Sequence, residues 1–503
     1  MGSNLGDSVG HIEQALRELE KELGLRVLDT SFMYQSKPMY VEDQPDFVNC
    51  ACLIETTLSP IALIALLKRI EVSVGRTPTI RNGPRVVDLD ILFYDDIIMD
   101  NTAEVKEGEL HLIIPHMRVN EREFVLRPLA DMIPDHIHPI LKQPIRILLA
   151  ALMSTTSPSL TKIVPFPAPL SSPSSSPSPS PSPPFPPTNL PLHSRTYLMS
   201  TLNATPDSFS DGGVLDSADL PVASLALSNL IDVGGYSTRP NAAYVSPAEE
   251  LRRVLPVLRA IREDHKLGMP VSIDTFRPAV AREALRHGAT CVNDVRALEG
   301  EGAGEGGRAA MADVLREFAV PVVMMHSRGD AGANKDYSAF GGDVVEGVRA
   351  ELGEKMRWAL GPGKGGLRRW NVIVDPGIGF SKTVEDNTRL IRELRRLTAP
   401  PTGGATTLTF TDLRALLDVE NDALRTHPLT GMPVLLGTSR KSFLGKLMLR
   451  EEPEKADERG YATAVAITAG IAQGADIMRV HDVMEMRDAV RVADAMYRPR
   501  ASS

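Results

Sequence analysis

The segment VIVDPG, residues 372–377, is a short apolar run that ends in an acidic residue, a proline and a glycine. Similar segments occur from residue 197 onward: YLMSTLN (197–203), LIDVGG (230–235), VSID (271–274), CVND (291–294), VVMMH (322–326), VLLGTS (434–439) and IMRVHD (477–482). Helical patterns such as Pro247–Glu263 and Pro278–His287 lie between them. Eight strand–helix units over about 300 residues predict an α/β fold, a (β/α)8 TIM barrel. A doubly wound open sheet is the structural competitor.

Polar side chains occupy the ends of these predicted strands. They are Asn203, Asp274, Asn293, Asp294, His326, Asp375, Ser439, Arg479 and His481. In a barrel the carboxyl ends of the strands converge on one rim, and active sites are built there. An isolated Asp or Asn at a strand end usually caps the next helix, and Asp294 and His326 remain open to that interpretation. Nine polar residues at seven of the eight strand ends nevertheless indicate a binding rim.

Three glycine-bearing loops follow predicted strands: DSFSDGG (207–213), GGYSTRPN (234–241) and GTSRKSF (437–443). In the last loop, backbone N–H groups at a helix start, the Ser439 hydroxyl and the Lys441 ammonium suit an anion such as pyrophosphate. The alternative is a plain connecting loop. Phe209 in the first loop is available to stack on a flat ring.

Taken together, LNATPDSFSDGG, GGYSTRP, SIDT, VNDV, MMHSRG, DPGIGF, GTSRKSF and RVHDV resemble dihydropteroate synthase. The resemblance implies that 4-aminobenzoate displaces pyrophosphate from a pterin methyl carbon, giving 7,8-dihydropteroate, and that sulfonamides inhibit the enzyme. It implies that Asn203 is a Mg²⁺ ligand. The pterin pyrophosphate would be bound by Thr238, Asp274, Asn293, Asp375, Lys441, Arg479 and His481, and 4-aminobenzoate by Phe209, Arg239 and Ser439.

Among these residues, the resemblance makes Asp274, Lys441 and Arg479 catalytic. Asp274 would stabilise positive charge that develops on the ring as pyrophosphate leaves. Tyr236 departs from the family, many members of which carry an acidic or small residue there. An insertion at 399–427 is expected to be a surface elaboration, with an oligomer interface as the alternative. A pterin-dependent methyltransferase is the alternative function for this barrel.

The first 150 residues predict a second domain. Ser8–Leu23 and the stretch from Ser59 to Ile70 have helical apolar spacing, and Ser59 and Pro60 are typical of a helix start. Residues 25–35, 46–56 and 87–94 alternate like strands. This order predicts an α+β domain in which helices cover a sheet.

The chemistry of this domain is concentrated in GPRVVDLDI, residues 83–91. On a strand, Asp88 and Asp90 point to the same face, where two carboxylates suit a hard cation such as Mg²⁺. The nearby basic residues, which suit a polyphosphate, are Arg76, Arg81, Arg85, His116 and Arg122. These features predict a site for a nucleotide and a metal. A solvated strand edge with surface arginines is the alternative.

GSNLGD (2–7), DQPDFVN (43–49), GPRVVDLDI (83–91) and the IPH…R…F tract resemble 6-hydroxymethyl-7,8-dihydropterin pyrophosphokinase. The resemblance implies a ferredoxin-like fold and transfer of pyrophosphate from ATP, with Mg²⁺, to a pterin hydroxymethyl group. ATP would be bound by Arg76, Arg85, His116 and Arg122, the metal by Asp88 and Asp90, and the pterin by Phe47, Asn49 and Phe124. Asp88, Asp90 and Arg85 would be catalytic.

The family carries a central strand before its GSN loop, whereas this chain starts at the loop. We therefore expect a truncated polypeptide, and an inactive kinase half is the alternative to a bifunctional enzyme. Residues 157–187 hold 12 of the 39 prolines and predict a solvated, extended, disordered linker. The predicted domains are 1–150 and 193–503, joined by a Pro/Ser-rich linker at 151–192.

Composition excludes several other classes of protein. The formal charge of −9 argues against a nucleic-acid binder, and no apolar run reaches the ~18 residues of a membrane span. The cysteines are Cys50, Cys52 and Cys291, and the first two favour a buried strand face over a disulfide or a metal site. We expect small-molecule partners, a homodimer formed through the barrel, and a cytoplasmic location, with mitochondrial association left open.

Overall fold

The computed structural model describes residues 1–80, 82–102, 111–155, 160–170, 185–204, 220–236, 243–300, 305–329, 332–400, 427–449 and 456–498. These residues form two compact units. The first is built on Met1–Ile163 and includes Arg368–Trp370; the second is built on Val164–Leu367, Asn371–Ala399 and the residues from Leu429 onward. In the described ranges no helix is long and apolar enough to cross a bilayer.

The first unit is an α+β fold, as predicted. Its helices are α1 (Ser8–Lys21), α2 (Pro60–Val74), α3 (Glu123–Met132) and α4 (Ile145–Thr155). Its strands are β1 (Gly2–Ser3), β2 (Leu25–Thr30), β3 (Met33–Ser36), β4 (Phe47–Asn49), β5 (Cys52–Thr56), β6 (Met99–Asp100), β7 (Ile113–Ile114) and the start of β8 (Leu160–Phe166). Helix α2 begins as its sequence predicts, because Ser59 accepts a hydrogen bond from the Ala62 N–H and Pro60 follows it.

Each of the two long strands predicted at 25–35 and 46–56 is divided in two. Strand β2 pairs with β5, and β3 pairs with β4, both antiparallel. At the break, the Ser31 N–H donates to the Ala51 carbonyl, and the Ser31 hydroxyl accepts from the Ala51 N–H, each over 2.9 Å. The serine side chain therefore replaces a ladder bond while both strands bend together.

The prediction of a regular strand at 87–94 is wrong, because this stretch does not form a ladder of hydrogen bonds with a neighbouring strand. One bridge joins Asp88 to Gly2 in the described part of the chain, while β1 pairs with β4. On its other side, an apolar groove lined by Leu63, Leu67 and Leu89 separates this stretch from β5. The alternation nevertheless persists, since Leu89 is buried and Asp90 is exposed.

The linker prediction is wrong for its early part. Residues 160–166 form β8, and Leu160–Ile163 pair antiparallel with β3. Leu160, Ile163, Val164 and Phe166 give this stretch enough apolar surface to join a sheet, which the surrounding prolines and serines obscure in the sequence. The most biased part, 171–184, lies outside the described residues.

The second unit is the predicted (β/α)8 barrel. The barrel strands are β10 (Tyr197–Asn203), β11 (Leu230–Gly234), β12 (Val271–Asp274), β13 (Cys291–Asp294), β14 (Val322–Met325), β15 (Val372–Asp375), β16 (Leu435–Leu436) and β17 (Ile477–Val480). Strand β9 (Thr188–Pro191) precedes them and neighbours β8 in a different sheet. The helices of this unit are α5 (Val222–Leu225), α6 (Pro247–Arg259), α7 (Pro278–Arg286), α8 (Glu305–Phe318), α9 (Val344–Leu360), α10 (Val384–Arg392), α11 (Arg395–Thr398), α12 (Ser442–Leu447), α13 (Gly460–Ala472) and α14 (Val483–Tyr497).

The barrel strands are parallel and run in the order β15-β14-β13-β12-β11-β10-β17-β16. A parallel bridge between Val374 and Val434 joins the two ends of this sheet, so the open doubly wound alternative is excluded. Buried side chains such as Cys291, Val323 and Ile477 fill the interior. Most of the insertion expected at 399–427 lies outside the described residues.

Candidate active sites

One cavity of the first unit collects most of the residues predicted for ATP, metal and pterin. Its volume is about 140 Å³. The predicted residues that line it are Phe47, Asn49, Arg85, Asp88, Asp90, His116, Arg122 and Phe124. Arg76 lies behind the cavity wall, on Asp88, and Arg81 lies outside the described residues. Four separate sequence motifs are thus brought to one place.

Strand β4 and helix α3 carry the residues predicted for the pterin. Phe47 and Asn49 alternate with Val48 on β4, so both face the cavity while Val48 is buried in the core. The Asn49 amide donates to the Ser36 hydroxyl over 2.9 Å, which fixes its orientation. Phe124 lines the same cavity from the first turn of α3.

Asp88 is held by two arginines. Its Oδ1 accepts from Arg76 Nη1 and its Oδ2 from Arg85 Nη1, each over 2.7 Å. Burial alone would raise the pKa of Asp88, but the charges of Arg85, Arg76 and Lys68 outweigh it and the pKa is lowered. The carboxylate therefore stays ionised at neutral pH, beside the exposed Asp90.

Glu71, which was not predicted from the sequence, holds the segment that carries Asp88 and Asp90 by binding its backbone. Its Oε1 accepts a hydrogen bond from the Leu89 N–H over 2.8 Å, and its Oε2 lies 2.5 Å from Arg76 Nη1. Lys68 also donates to Glu71, over 2.7 Å. Glu71 looks like any polar residue of an amphipathic helix in the sequence, so no local pattern distinguishes it.

Tyr40 is a second residue of this cavity that the sequence analysis missed. Arg118 and Arg122 both donate to its hydroxyl, over 2.9 and 3.3 Å. The hydrogen bond from Arg122 is the main cause that lowers the pKa of Tyr40.

Burial lowers the pKa of His116 against the opposing charge of Asp90, so the imidazole is neutral at pH 7.

The rim of the barrel brings together predicted residues from neighbouring strands. Asn203, Asp274 and Asn293 lie in one row, because Asn203 and Asp274 are both in register with Gly234 and Asn293 is in register with Asp274. Arg479 reaches this row and donates from Nη2 to Asp274 Oδ2 over 2.9 Å. Burial, together with the charge of Asp232, raises the pKa of Asp274 to about 7.

Asp375 closes another part of the rim. Its Oδ1 accepts from the Gly377 N–H over 2.7 Å, and burial raises its pKa against the opposing charges of Lys441 and Arg479. The Lys441 ammonium lies 4.3 Å from the centre of the Phe380 ring. Asp375 is therefore a buried acceptor with cations close by.

Ser439 and His481 contact each other at the end of the rim. The His481 N–H donates to the Ser439 hydroxyl over 3.2 Å, and His481 Nδ1 lies 3.1 Å from the same oxygen. Burial and the charge of Arg479 lower the pKa of His481 to about 4. Arg440 instead pairs with Asp482.

The two residues left open as caps have different roles. Asp294 accepts from the N–H groups of Arg296 and Leu298, each over 2.8 Å, so it caps a turn. His326 is not a cap. Its Nε2 contacts Glu351 over 2.8 Å and its Nδ1 contacts Lys382 over 3.0 Å.

Asp232, just below the rim, is a buried polar residue that was not predicted from the sequence. It is 0% exposed and contacts both Arg479 and Asn293. It lies inside an apolar strand segment, where a sequence pattern gives no reason to assign it a ligand.

Thr238, Phe209 and Arg239 lie outside the described residues, so their assignments stay predictions.

An apolar wall also forms at the strand ends. Phe276, Val295 and Met325 are buried together, with Tyr236 and Phe380 packed against them. Tyr236, which departs from the family pattern, packs edge-on against Phe276. Apolar side chains beside buried acceptors are typical of a site for a flat heteroaromatic molecule.

Each of the two units matches a known protein family. Residues 199–481 match a family model described as pterin binding enzyme, and residues 1–134 match the model of 7,8-dihydro-6-hydroxymethylpterin-pyrophosphokinase. The mitochondrial folate synthesis bifunctional protein of Pisum sativum is 36% identical over 511 residues, which cover 100% of this chain and 89% of that relative.

Folic acid synthesis protein fol1 of Schizosaccharomyces pombe is 36% identical over 486 residues, or 95% of this chain, and the chain spans 56% of that relative's length. The structure of Plasmodium falciparum HPPK-DHPS with pteroate has the same fold, with a TM-score of 0.69 and 18% identity, over 98% of this chain and 96% of that chain. The chain therefore belongs to the folate synthesis family whose members join a hydroxymethyldihydropterin pyrophosphokinase domain to a pterin-binding enzyme domain.

Proposed function

We propose that this chain is a bifunctional transferase that carries out two consecutive steps of folate biosynthesis. The first unit transfers pyrophosphate from ATP to 6-hydroxymethyl-7,8-dihydropterin. The second condenses the product with 4-aminobenzoate to give 7,8-dihydropteroate and pyrophosphate. The supporting observation is that one cavity of the first unit gathers eight residues that the sequence predicts for ATP, metal and pterin.

In the first step, the pterin hydroxymethyl oxygen attacks the β-phosphorus of ATP. The bond from that phosphorus to the oxygen of AMP breaks, and the hydroxyl proton is lost. Phe47 and Phe124 stack on the pterin, and Asn49 hydrogen-bonds its edge. Arg85 and Arg122, together with His116, hold the phosphates and stabilise the charge that develops during transfer. Arg76 contributes its positive charge from behind the cavity wall, where it is paired with Asp88.

In the second step, the 4-aminobenzoate nitrogen attacks the pterin methylene carbon, the bond to the pyrophosphate oxygen breaks, and the nitrogen loses a proton. Asp375 and Asn293 bind the aminopyrimidine edge, and ionised Asp274 stabilises positive charge on the ring. The leaving pyrophosphate is bound by Arg479, His481 and Lys441. Thr238 would also bind the pterin substrate, and Phe209, Arg239 and Ser439 would bind 4-aminobenzoate.

The residues of both sites fit Mg²⁺. Asp88 and Asp90 offer two carboxylates on one cavity wall, and Asn203 offers an amide oxygen at the rim. In the described ranges no group of three His, Cys, Asp or Glu residues forms a complete metal cage. This suits Mg²⁺, which takes few protein oxygens and completes its shell with phosphate and water. When bound, the ion neutralises phosphate charge.

We propose in addition that the barrel forms a homodimer through α13. Tyr461 and Val465, one helical turn apart, are 91% and 70% exposed, and large apolar side chains so placed are typical of protein interfaces. Small molecules are the other expected partners. The domain limits 1–150 and 193–503 and the cytoplasmic location are proposed from the sequence alone.

One assay of the full chain tests the function. The protein is supplied with ATP, Mg²⁺, hydroxymethyldihydropterin and 4-aminobenzoate, and dihydropteroate is measured. A second reaction starts from pterin pyrophosphate. Product in both reactions supports two active units, and product only in the second supports an inactive kinase half. No product in either contradicts the proposal and leaves methyl transfer as the alternative for the barrel.

A further inference from the structure

Asp232 lies on β11, inside the barrel and below the rim. Its Oδ2 accepts from Arg479 Nε over 2.6 Å and from Asn293 Nδ2 over 3.0 Å. The residue is fully buried, and its Oδ1 has no hydrogen-bond partner among the described residues. The carboxylate is therefore held through a single oxygen that contacts two residues of the proposed synthase site.

Arg479 is shared by two carboxylates. Its Nε binds Asp232 and its Nη2 binds Asp274 Oδ2 over 2.9 Å. A guanidinium is a rigid, planar fork, so two contacts from different nitrogens fix the plane of the whole group. With its plane fixed, the direction of the remaining Nη1 is also fixed.

The same oxygen orients Asn293. An amide that donates through Nδ2 to Asp232 presents its Oδ1 elsewhere, because the two groups point in different directions from the same carbon. Asn293 is 4% exposed, so its surroundings restrict other orientations. Asp232 thus controls the orientation of one residue proposed to bind the pterin and another proposed to bind the leaving group.

A buried carboxylate is costly unless it is paired, and an apolar pair of the same volume often gives a more stable fold. Stability of the barrel therefore gives no sufficient reason for an aspartate at this position. We infer that Asp232 is a positioning residue of the pyrophosphate-displacing reaction, holding Arg479 and Asn293 for the two ends of the pterin substrate. This inference rests on the proposed synthase function.

The test uses the full chain with Asp232→Asn, supplied with pterin pyrophosphate and 4-aminobenzoate. We expect kcat/KM for pterin pyrophosphate to fall by about 100-fold, because the group that stabilises the leaving charge is misoriented. The KM for 4-aminobenzoate should change by less than about three-fold, because the contacts of Asp232 in the described part of the chain are to Arg479 and Asn293, which are proposed to bind the other substrate.

Asp294→Asn is the matched control. Asp294 is also 0% exposed and stands at a barrel strand end, but its carboxylate accepts from the backbone N–H groups of Arg296 and Leu298. It should lower the melting temperature without the split between the two substrates. Equal kinetic losses in both variants would overturn the inference, since a general packing defect would then account for them.

A double variant keeps the test informative if Asp232→Asn alone does not fold. Asp232→Asn with Arg479→Gln removes both charges at similar volume, which is better tolerated than removing one. We expect its kcat/KM to lie less than about ten-fold below that of Arg479→Gln alone, because Asp232 acts mainly through Arg479 and in smaller part through Asn293. An additional loss of ten-fold or more, about 1.4 kcal/mol, would contradict this. If the unmodified chain makes no dihydropteroate, the proposed function fails first and this inference falls with it.

Discussion

The carboxylate of Glu71 accepts a hydrogen bond from the backbone N–H of Leu89, the residue between Asp88 and Asp90. Helix α2 thereby fixes a segment that has a single bridge to β1 and no ladder partner toward β5 in the described chain. The proposed ATP site depends on a buried side chain that does not face its cavity.

Glu71→Gln is therefore expected to impair both stability and the kinase step. The glutamine amide lacks the negative charge with which Glu71 pairs with Arg76 and Lys68. We therefore expect the free energy of unfolding to fall by about 1–3 kcal/mol. Misplacement of Asp88 should lower kcat/KM for ATP by about ten-fold or more. Urea unfolding and AMP release measure the two effects.

Glu18→Gln is the control for this variant. Glu18 pairs with Lys21 on the surface of α1, and such a pair contributes less than about 1 kcal/mol. Wild-type AMP release by Glu71→Gln would show that α2 does not position the site.

Asp90→Asn should affect activity but not folding. Asp90 is exposed, so the free energy of unfolding should change by less than about 0.5 kcal/mol. Loss of a proposed Mg²⁺ ligand should lower kcat for AMP release by about 100-fold and raise the Mg²⁺ concentration needed for half the maximal rate. Asp96→Asn, at another exposed position of the same segment, should match wild type. Unchanged Mg²⁺ dependence in Asp90→Asn would reject its role as a ligand.

The synthase step should depend on pH through Asp274. Burial and the charge of Asp232 raise the pKa of Asp274 to about 7, and the proposed role requires the ionised form. We therefore expect kcat/KM for pterin pyrophosphate to fall as the pH is lowered from 8 to 6, approaching about ten-fold per unit below the pKa. In Asp274→Asn the rate should be low and independent of pH over this range.

The same pKa has an opposite consequence for stability. An unfolded aspartate ionises near ~3.9, whereas folded Asp274 keeps its proton until about 7, so its contribution to stability is lost as the pH rises through this window. A flat profile of kcat/KM in the wild-type chain between pH 6 and 8 would contradict a carboxylate that titrates there.

His326 should make the barrel less stable in acid. Burial lowers the pKa of His326 to about 3, and Lys382 acts in the same direction. Between about pH 6.5 and 3 the unfolded imidazole binds a proton that the folded one does not, so stability falls as pH falls, by up to ~1.4 kcal/mol per unit.

In His326→Gln this part of the pH dependence should disappear, while stability at pH 7 falls by about 1–3 kcal/mol because Glu351 and Lys382 lose a partner. Amide hydrogen exchange of β14, measured at several pH values, reports on the barrel itself. An unchanged slope between pH 6.5 and 5 in the variant would show that another group is responsible.

Val465→Glu should dissociate the proposed homodimer. A charge at the centre of an apolar contact is buried against its copy, so we expect the Kd to rise by at least about 100-fold. Light scattering during size-exclusion chromatography measures the mass of each species. Ile147→Glu, on α4 of the first unit, is the control because Ile147 is also an exposed apolar residue. A monomeric wild-type chain at micromolar concentration would refute the dimer.

Strand ends were the part of the fold that the sequence predicted best. Most barrel strands are short apolar runs closed by a polar residue. Accordingly, β12 and β13 occupy the predicted residues, and Asp274 and Asn293 lie where the barrel rule requires. The local sequence is sufficient here because a barrel strand is buried on both faces and therefore reads as an apolar run, and a polar residue marks its end at the rim.

The positioning residues could not be found in this way. Glu71 holds the backbone N–H of Leu89, which is 18 residues away, and Asp232 holds Arg479, which is 247 residues away. Neither helix nor strand periodicity records which buried polar residue meets which partner. Strand β8 was missed for a related reason, because pairing with β3 outweighs the bias of a segment flanked by prolines.

Strand β16 spans two residues, and in the described chain the bond between the ends of the barrel sheet is the Val374–Val434 bridge. On the opposite side, β10 and β11 share five residue pairs. Backbone protection should therefore be lowest beside the loop that carries Ser439 and Lys441. We expect this seam to open locally at less cost than global unfolding, while the rest of the wall stays rigid.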